Sequence, residues 1–305
     1  MPGIYVYSDK VQEAAALIGL AAQSGKEVCC ISLDSNQAQE LKEYGPERII
    51  ILNGNSPLPE NYAQSIAELI KNEEGELFLV ASTVRGRELA AKTAGYLDCG
   101  MVSDAESLVF EDEGIVSTRL MYGGSVVQKE IIRQLAVVTV PAGNLQAVKK
   151  ENAPVSIVSL EVQADPRVRL IETLPVKRDK IDLASAEKVV CVGMGLDKQE
   201  DMKMAEELAQ LLGAEIACTR GIAEERQWLP VESYIGISGA KIKPSLYISM
   251  GVSGQVQHVV GIRDSKIIVA VDSNEKAPII KAADYSIIGD MYEIIPLLIE
   301  ELKKA

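Results

Sequence analysis

Short apolar runs alternate with segments of helical spacing along most of this chain, and this alternation strongly limits its possible folds. In the first part of the sequence, strands are predicted at residues 3–7, 27–33, 48–52 and 77–81. Helices are predicted at residues 10–23, 36–44, 62–71 and 88–97. Because strands that alternate with helices are joined by right-handed crossovers, this pattern indicates an α/β fold with a mostly parallel sheet.

The chain is too long for one hydrophobic core. Its 305 residues exceed what a single core usually supports, so two domains are expected. Only two Phe and one Trp are present, so each core must consist mainly of Ile, Val, Leu and Ala, as in buried parallel sheets. The pattern weakens between residues 142 and 182, where prolines and mixed charges indicate a strand followed by a linker. We therefore predict two Rossmann-like parallel-sheet domains, at residues 1–174 and 175–305.

Charge and cysteine content exclude several classes of function. The formal net charge of −13 disfavours nucleic-acid binding, which depends on basic patches. The five cysteines show neither CxxC nor Cys/His spacing, so we predict buried, reduced thiols and no metal site. Reduced thiols favour a reducing compartment. With a first strand near the N-terminus and no apolar run of ~20 residues, the sequence predicts a cytoplasmic protein without a membrane span.

Two glycine-containing segments in the first part have more than one interpretation. Residues 82–87 (STVRGR) follow the fourth predicted strand, at a position where parallel sheets bind ligands. The alternative for this segment is a capped helix start with two surface arginines. The pair Gly123-Gly124 is more typical of a hairpin turn than of a binding loop.

The second part of the chain repeats the alternation and adds turns next to its strands. Strands are predicted at residues 188–192, 215–218, 246–250 and 266–272, and helices at residues 198–212 and 291–304. The turns are residues 193–195, 219–221, 236–239 and 251–254. Since the carboxyl ends of parallel strands meet at one edge of a sheet, several turns can gather there, which is the usual geometry of a nucleotide cofactor site.

The stretch from residue 246 to residue 290 contains the strongest single candidate. Its first strand is followed by the turn 251–254 and a short helix, which holds His258, the only histidine of the chain. A turn that opens a helix leaves backbone N–H groups unpaired at the positive end of the helix dipole, which suits a phosphate. The alternative is a tight strand-to-helix connection whose glycines serve packing alone.

The same stretch resembles the alpha subunit of electron transfer flavoproteins, the FixB-like family. The family patterns LYI-x-x-G-x-SG-x-x-QH and G-x-x-DSK correspond to LYISMGVSGQVQH and GIRDSK, and its EAPI and ADY-x-x-x-D to KAPI and ADYSIIGD. The family turn G-Q-T-G-K corresponds to residues 236–241 (GISGAK), one residue longer. The first domain matches more loosely, through residues 83–86 and 122–124.

This resemblance implies an electron carrier that has no catalytic residues of its own. Its second domain is then expected to hold FAD, and its first domain to contact a separate beta subunit. The implied electron donor is an acyl-CoA dehydrogenase or another dehydrogenase. The implied acceptor is a quinone reductase, or a ferredoxin-linked partner in an electron-bifurcating complex. The flavin performs the redox chemistry in such a protein, and the chain places and tunes it.

The resemblance also implies roles for single residues. Arg220 is expected beside the isoalloxazine ring, Ser238 at flavin N5, and His258 near the pyrimidine end of the ring, where it would steady negative charge on reduction. The turn and helix start are expected to meet the pyrophosphate, and Asp290 and Met291 to meet the adenosine end. The predicted cofactor-binding residues are Thr219, Arg220, Ile235, Gly236, Ile237, Ser238, Ser253, Gly254, Gln255, Val256, Gln257, His258, Asp272, Asp290 and Met291.

Two positions depart from the family pattern. Met194 stands where the family has an arginine that meets the pyrophosphate, and Asp272 stands where it has an asparagine. Losing a cation and gaining an anion near a diphosphate both weaken binding, so we predict that FAD is held less tightly than in members with the arginine. The alternative is a structural or regulatory subunit that keeps the fold and binds FAD weakly or binds another nucleotide. A nicotinamide dehydrogenase is disfavoured because no G-x-G-x-x-G turn follows the first strand.

Overall fold

The computed structural model describes residues 3–142, 145–150, 153–174, 183 and 185–304. The chain forms two compact units, Met1–Leu174 and Pro175–Ala305. Each unit is built on a parallel sheet with helices, so the predicted α/β class is confirmed. Residues 175–182, the last part of the segment 142–182 that was predicted to hold a strand and a linker, lie outside the described residues. No helix among the described residues is both long enough and apolar enough to cross a membrane.

The described part of the first unit contains ten strands and four α-helices. Its strands are β1 (Ile4–Tyr7), β2 (Val28–Ser32), β3 (Arg48–Asn53), β4 (Leu77–Ala81), β5 (Gly100–Val102), β6 (Ser107–Glu111), β7 (Gly114–Met121), β8 (Val126–Ile132), β9 (Ala136–Val140) and β10 (Ser156–Glu161). Its helices are α1 (Val11–Ala22), α2 (Ser35–Leu41), α3 (Ala63–Asn72) and α4 (Val84–Leu97). Seven of the strands form a parallel sheet in the order β10-β3-β2-β1-β4-β9-β5.

Strand β1 shows why this sheet needs helices on both faces. Its residues alternate between two apolar layers, with Ile4 and Val6 in one layer and Tyr5 and Tyr7 in the other. All four side chains are buried. Successive side chains of a strand point to opposite faces, so a strand that is apolar at every position must be covered by other elements on both faces of the sheet.

The remaining strands, β6, β7 and β8, form a separate antiparallel sheet. The predicted hairpin at Gly123-Gly124 is confirmed, because the turn Tyr122–Gly124 joins β7 to β8. Both glycines have positive φ angles, +67° and +90°, which suits glycine in a tight turn. The sequence pattern did not identify β6 and β8 as strands.

Residues 82–87 form a capped helix start. Helix α4 begins at Val84 rather than at the predicted residue 88, and the Thr83 hydroxyl accepts a hydrogen bond from the Gly86 N–H at 2.9 Å. Both arginines of this segment form ion pairs, Arg85 with Glu60 and Arg87 with Asp104. A side chain at Gly86 would place its Cβ 2.1 Å from the Ala81 carbonyl oxygen, so the glycine allows the helix to approach the strand.

The second unit contains one five-stranded parallel sheet. Its strands are β11 (Lys188–Val192), β12 (Glu215–Cys218), β13 (Leu246–Met250), β14 (Ile268–Asp272) and β15 (Tyr285–Ile288), and their order is β12-β11-β13-β14-β15. Its helices are α5 (Met202–Leu212), α6 (Val256–Ile262), α7 (Pro278–Ala282) and α8 (Met291–Leu302).

Three boundaries in the second unit differ from prediction, one of them the end of α8, at Leu302 instead of residue 304, and one strand and one helix are new. A 3₁₀ turn, Gln199–Asp201, precedes α5, so this helix begins four residues later than predicted. Strand β14 begins two residues later, at Ile268. Strand β15 was not predicted because its four residues, Tyr-Ser-Ile-Ile, are too few to show the alternation of a half-buried strand; all four are exposed. Helix α7 has only five residues, too few for a helical period to show.

Candidate cofactor-binding site

The strand order of the second unit brings four turns to one place. Strands β12 and β13 lie on opposite sides of β11, so the chain reverses its direction of travel across the sheet at β11. Ligands of open α/β sheets bind at such a switch point, outside the carboxyl ends of the strands. The register also aligns the strand ends, because Val192 pairs with both Cys218 and Met250, and Met250 pairs with Val271.

A cavity of about 920 Å³ lies at this carboxyl edge. Its volume falls near the upper end of the range of small-molecule and cofactor sites, about 300–1,000 Å³. All predicted site residues except Val256 contribute to its lining: Thr219, Arg220, Ile235, Gly236, Ile237, Ser238, Ser253, Gly254, Gln255, Gln257, His258, Asp272, Asp290 and Met291. Their roles as cofactor ligands stay predictions. Val256 is the first residue of α6, and its side chain is half exposed.

Glycine is required where the turns after β11 and β13 meet. A Cβ on Gly193 would lie 2.1 Å from the Gly251 carbonyl oxygen, and a Cβ on Gly195 would lie 2.7 Å from the Gly251 Cα. The Gly195 N–H donates to the same Gly251 carbonyl at 3.0 Å. Close packing of two backbones therefore explains these glycines, and two of them, Gly195 and Gly251, line the cavity.

The turn after β13 presents a row of free hydrogen-bond donors. Among the described residues, the backbone N–H groups from residue 252 to residue 257 have no hydrogen-bond partner. Gly254 within this row has a φ angle of +72°, and the row runs directly into the first turn of α6. Successive N–H groups in a turn that opens a helix form a concave site suited to an anion.

A second unpaired polar group lies in the wall beside β12. The hydroxyl oxygen of Thr219 is buried and has no hydrogen-bond partner among the residues that the structure describes. Buried hydroxyl groups are rarely left without a partner, and Thr219 lines the cavity. A ligand that accepts or donates a hydrogen bond at this wall would satisfy it. The free N–H row and the Thr219 hydroxyl both fit a bound polar group such as a flavin nucleotide.

The charged side chains of the cavity wall are mostly acidic. Among the described residues of the lining, Arg220 is the single cation, whereas the acids are Asp197, Glu225, Asp272 and Asp290. Two of the acids serve the backbone: Asp290 accepts from the Tyr292 N–H at 2.9 Å, and Asp272 accepts from the Asn274 N–H at 2.8 Å. An acidic wall opposes a diphosphate, so the backbone N–H row must supply most of the favourable contacts.

Arg220 follows β12 and remains positively charged. Its Nε donates to Glu224 at 2.6 Å, and this contact raises the pKa of the guanidinium. The side chain is exposed at the cavity rim. Ser238 lies in the loop 236–239 and is also exposed, and its backbone carbonyl accepts from the Tyr234 hydroxyl at 2.7 Å. The Ile237 N–H donates to the Gln257 carbonyl at 2.9 Å, which ties this loop to α6.

His258 lies in the cavity wall but is only 7% exposed. Burial lowers the pKa of its imidazole to about 4, so the ring is neutral at pH 7 and contributes hydrogen bonds rather than a positive charge. The unfolded chain binds this proton near pH 6.5, whereas the folded chain does not. The contribution of this group to stability is therefore complete above about pH 6.5 and is lost as the pH falls to about 4.

Arg226 is a contributor that the sequence did not reveal. Its guanidinium donates to the Leu196 carbonyl and, at 3.5 Å, to the Met194 carbonyl, and it lies 4.5 Å from the centre of the Trp228 ring. Arg226 thus stabilises the turn after β11 from outside the cavity. The contact joins residues 32 positions apart, so no local pattern indicates it.

Comparisons with known sequences decide the family. Residues 10–165 match the family model of the electron transfer flavoprotein domain, and residues 182–263 match that of the electron transfer flavoprotein FAD-binding domain. The chain is 38% identical to YdiR of Escherichia coli (strain K12), which carries the provisional name of an electron transfer flavoprotein subunit. This alignment covers 99% of the chain and 98% of YdiR. The chain belongs to the electron transfer flavoprotein alpha-subunit family.

A second relative supports the same assignment, and the predicted resemblance is confirmed. The chain is 32% identical to protein FixB of Salmonella typhi, over 99% of this chain and 98% of FixB. Alpha subunits of electron transfer flavoproteins are electron carriers rather than enzymes, and they pair with a beta subunit. The FAD-binding family model covers the strands β11, β12 and β13, the whole of α6 and the turns between them, which carry most of the cavity wall.

Proposed function

We propose that this chain holds FAD in the cavity of its second unit and carries electrons as the alpha subunit of a heterodimer. The observation that carries this proposal is the row of free N–H groups from residue 252 to residue 257. Every residue of this row except Val256 lines a cavity of suitable size at the switch point of a parallel sheet. These donors suit the diphosphate of a flavin nucleotide. If the turn served packing alone, these N–H groups would have no hydrogen-bonding role.

The remaining contacts follow from the positions of the wall residues. Arg220 and Ser238 lie on the loops after β12 and before β13, where they would meet the isoalloxazine ring. Asp290 and Met291, after β15, would meet the adenosine end. FAD, when bound, supplies the electron-accepting ring. The chain binds its phosphates, orients the ring and sets the local charge.

The partners proposed for this chain follow from its family. The first unit would contact the beta subunit, and an acyl-CoA or other dehydrogenase would donate electrons. A quinone reductase, or a ferredoxin-linked partner in a bifurcating complex, would accept them. We propose a cytoplasmic location, consistent with five cysteines that are all free thiols, four of them buried.

A structural or regulatory subunit that binds FAD weakly, or binds another nucleotide, is the second candidate. The acidic wall favours it, because the four carboxylates of the described wall repel an anionic diphosphate and only one guanidinium, that of Arg220, attracts it. The two candidates differ in the visible absorption of the chain purified with its beta subunit. The electron carrier is supported if the wild-type heterodimer shows flavin bands and the heterodimer with Gly254→Ala in this chain does not. A colourless heterodimer that takes up no added FAD supports the second candidate.

Replacing Arg220 by alanine is expected to lower the midpoint potential of the bound flavin. The change removes the only cation of the described cavity wall, so negative charge on the reduced ring loses its counter-charge. We expect a decrease of tens of millivolts, since a tenfold change in relative affinity for a one-electron couple corresponds to about 59 mV. Spectroelectrochemistry measures the potential, and Arg220→Lys, which keeps the charge, serves as the control. An unchanged midpoint potential in Arg220→Ala would contradict the proposal that Arg220 lies beside the flavin ring.

Replacing Asp272 by asparagine is expected to tighten FAD binding by about threefold to tenfold, because it removes one of the acids from the wall. The fold should be retained, since an amide oxygen can still accept from the Asn274 N–H as the carboxylate does. Titration of the apo-protein with FAD, followed by flavin fluorescence, measures the change. Asp264→Asn, an exposed acid on the loop after α6 and outside the cavity lining, is the control. Equal tightening in both variants would point to a general charge effect.

A further inference from the structure

Three buried side chains form a polar cluster behind the cavity wall. The Tyr247 hydroxyl lies 2.7 Å from His258 Nε2, and the Cys191 Sγ lies 4.0 Å from the same nitrogen. The other ring nitrogen, Nδ1, lies 3.1 Å from the Ile235 carbonyl oxygen. Tyr247 and Cys191 are fully buried, on the neighbouring strands β13 and β11.

These contacts determine where the proton of His258 lies. A carbonyl oxygen can only accept a hydrogen bond, so Nδ1 must carry the proton that it donates to Ile235. In the neutral ring Nε2 is then an acceptor, and the Tyr247 hydroxyl donates to it. The second nitrogen is therefore occupied by a protein donor and has no N–H to offer to a ligand.

We propose that Tyr247 is a positioning residue that holds His258 neutral with its proton on Nδ1, so that the histidine links two cavity loops instead of supplying charge. The Nδ1 hydrogen bond reaches Ile235, the residue before the loop 236–239, and His258 itself belongs to α6. A second bond, from the Ile237 N–H to the Gln257 carbonyl, joins the same two elements. The ring thus fixes the loop that carries Ser238 against the helix that follows the free N–H row.

The hydroxyl of Tyr247 also opposes protonation of the ring. A hydrogen bond donated to the lone pair of Nε2 stabilises the neutral form of the imidazole and disfavours the charged form. Burial acts in the same direction and lowers the pKa of His258, whereas the bond to Ile235 raises it. The titratable groups in contact with the ring are Tyr247 and Cys191, and burial raises the pKa of each, so both remain neutral at pH 7. Arg220 is then the only charged side chain of the described wall that can favour an anion.

The chain has a single histidine, so nuclear magnetic resonance of the full chain labelled with ¹⁵N-histidine reports on this ring alone. We expect a neutral ring with the proton on Nδ1 and no titration between pH 5 and pH 8, without any added flavin. A proton on Nε2, or a titration midpoint near the ordinary value of about 6.5, would overturn the proposal. This measurement does not depend on FAD, so its failure is distinct from failure of the proposed function.

The variant Tyr247→Phe tests the role of the hydroxyl while keeping the aromatic ring. We expect the pKa of His258 to rise by about 1 or more, because Nε2 loses its donor and can accept a proton. Tyr234→Phe is the matched control, since Tyr234 is also a buried cavity residue, but its hydroxyl donates to the Ser238 carbonyl instead. Cys191→Ala should change little, since a thiol is a weak donor. An unchanged titration in Tyr247→Phe would leave Tyr247 with a packing role only.

A further experiment rests on the proposed function and uses the FAD-loaded heterodimer. The midpoint potential of the wild type should show no inflection from His258 between pH 5 and pH 8. In Tyr247→Phe an inflection should appear at the new titration midpoint of the ring, and Tyr234→Phe should show none. A wild-type inflection that vanishes in His258→Gln would show that the histidine titrates in the loaded protein, against the proposal.

Discussion

Gly254→Ala should abolish measurable FAD binding and lower the free energy of unfolding of the second unit by about 2–5 kcal/mol. Gly254 has a φ angle of +72°, a region that costs a residue with a Cβ about 1–2 kcal/mol. A Cβ at this position would also lie 2.4 Å from the Ile279 backbone nitrogen and 2.5 Å from its Cα. Relief of such a contact requires backbone movement, which adds about 1–3 kcal/mol.

The same movement explains the loss of binding. Gly254 lies within the row of free N–H groups, and the Ile279 N–H donates to the Ser253 carbonyl at 3.2 Å. Pushing α7 away from the turn therefore breaks this bond and changes the direction of the N–H groups on both sides of residue 254. Anion binding by a row of backbone donors requires that they converge on one point, so a small rotation removes several contacts at once.

The variant Gly213→Ala separates the cost of a positive φ angle from the cost of the close contact with Ile279. Gly213 ends α5 with a φ angle of +62°, but a Cβ there meets nothing within 4 Å. This variant should lose only about 1–2 kcal/mol and should keep full FAD binding. Trp228, the only tryptophan of the chain, lies in the second unit, so its fluorescence can follow the denaturant unfolding of that unit. Equal losses of stability in Gly254→Ala and Gly213→Ala would show that the close approach to Ile279 has no cost.

Met194→Arg should tighten FAD binding by about tenfold. Met194 lines the cavity at the turn after β11, and its side chain is 44% exposed, so a longer side chain has room to extend. A charge-assisted hydrogen bond to a phosphate contributes about 1.5–3 kcal/mol, or roughly 10- to 100-fold in affinity. Arg226 already lies against the Met194 carbonyl, so the new guanidinium meets a like charge, and we expect the lower end of that range.

The matched control is Met194→Gln, which has a similar length and polarity but no charge. It should bind FAD within about twofold of the wild type. Titration of apo-protein at two salt concentrations adds a second criterion, because the gain in Met194→Arg should decrease with ionic strength. Weaker or unchanged binding in Met194→Arg would contradict the view that this position lacks a cation for the diphosphate.

Much of the fold followed from residue patterns. Strand Leu77–Ala81 is a run of buried apolar residues, and Leu246–Met250 is apolar at four of its five positions; the bounds of both were predicted to the residue. The start of α4 was misplaced because its first turn, 84–87, carries two arginines and a glycine and so has no apolar period. Strand β15 was missed because its four residues are too few to show a strand period. Pattern-based prediction depends on a periodic spacing of apolar residues, and these two segments do not show it.

The sequence by itself determined which residues can form the candidate site, because glycine-containing and polar turns follow or precede the strands of the second unit. The tertiary structure decided how these turns combine, through the order β12-β11-β13 and the register that aligns Val192 with Cys218 and Met250. It also decided the state of His258 and the place of Arg226. The physical reason is that a hydrogen bond such as that between Tyr247 and His258 depends on burial and on strand order, which join residues that no local spacing relates.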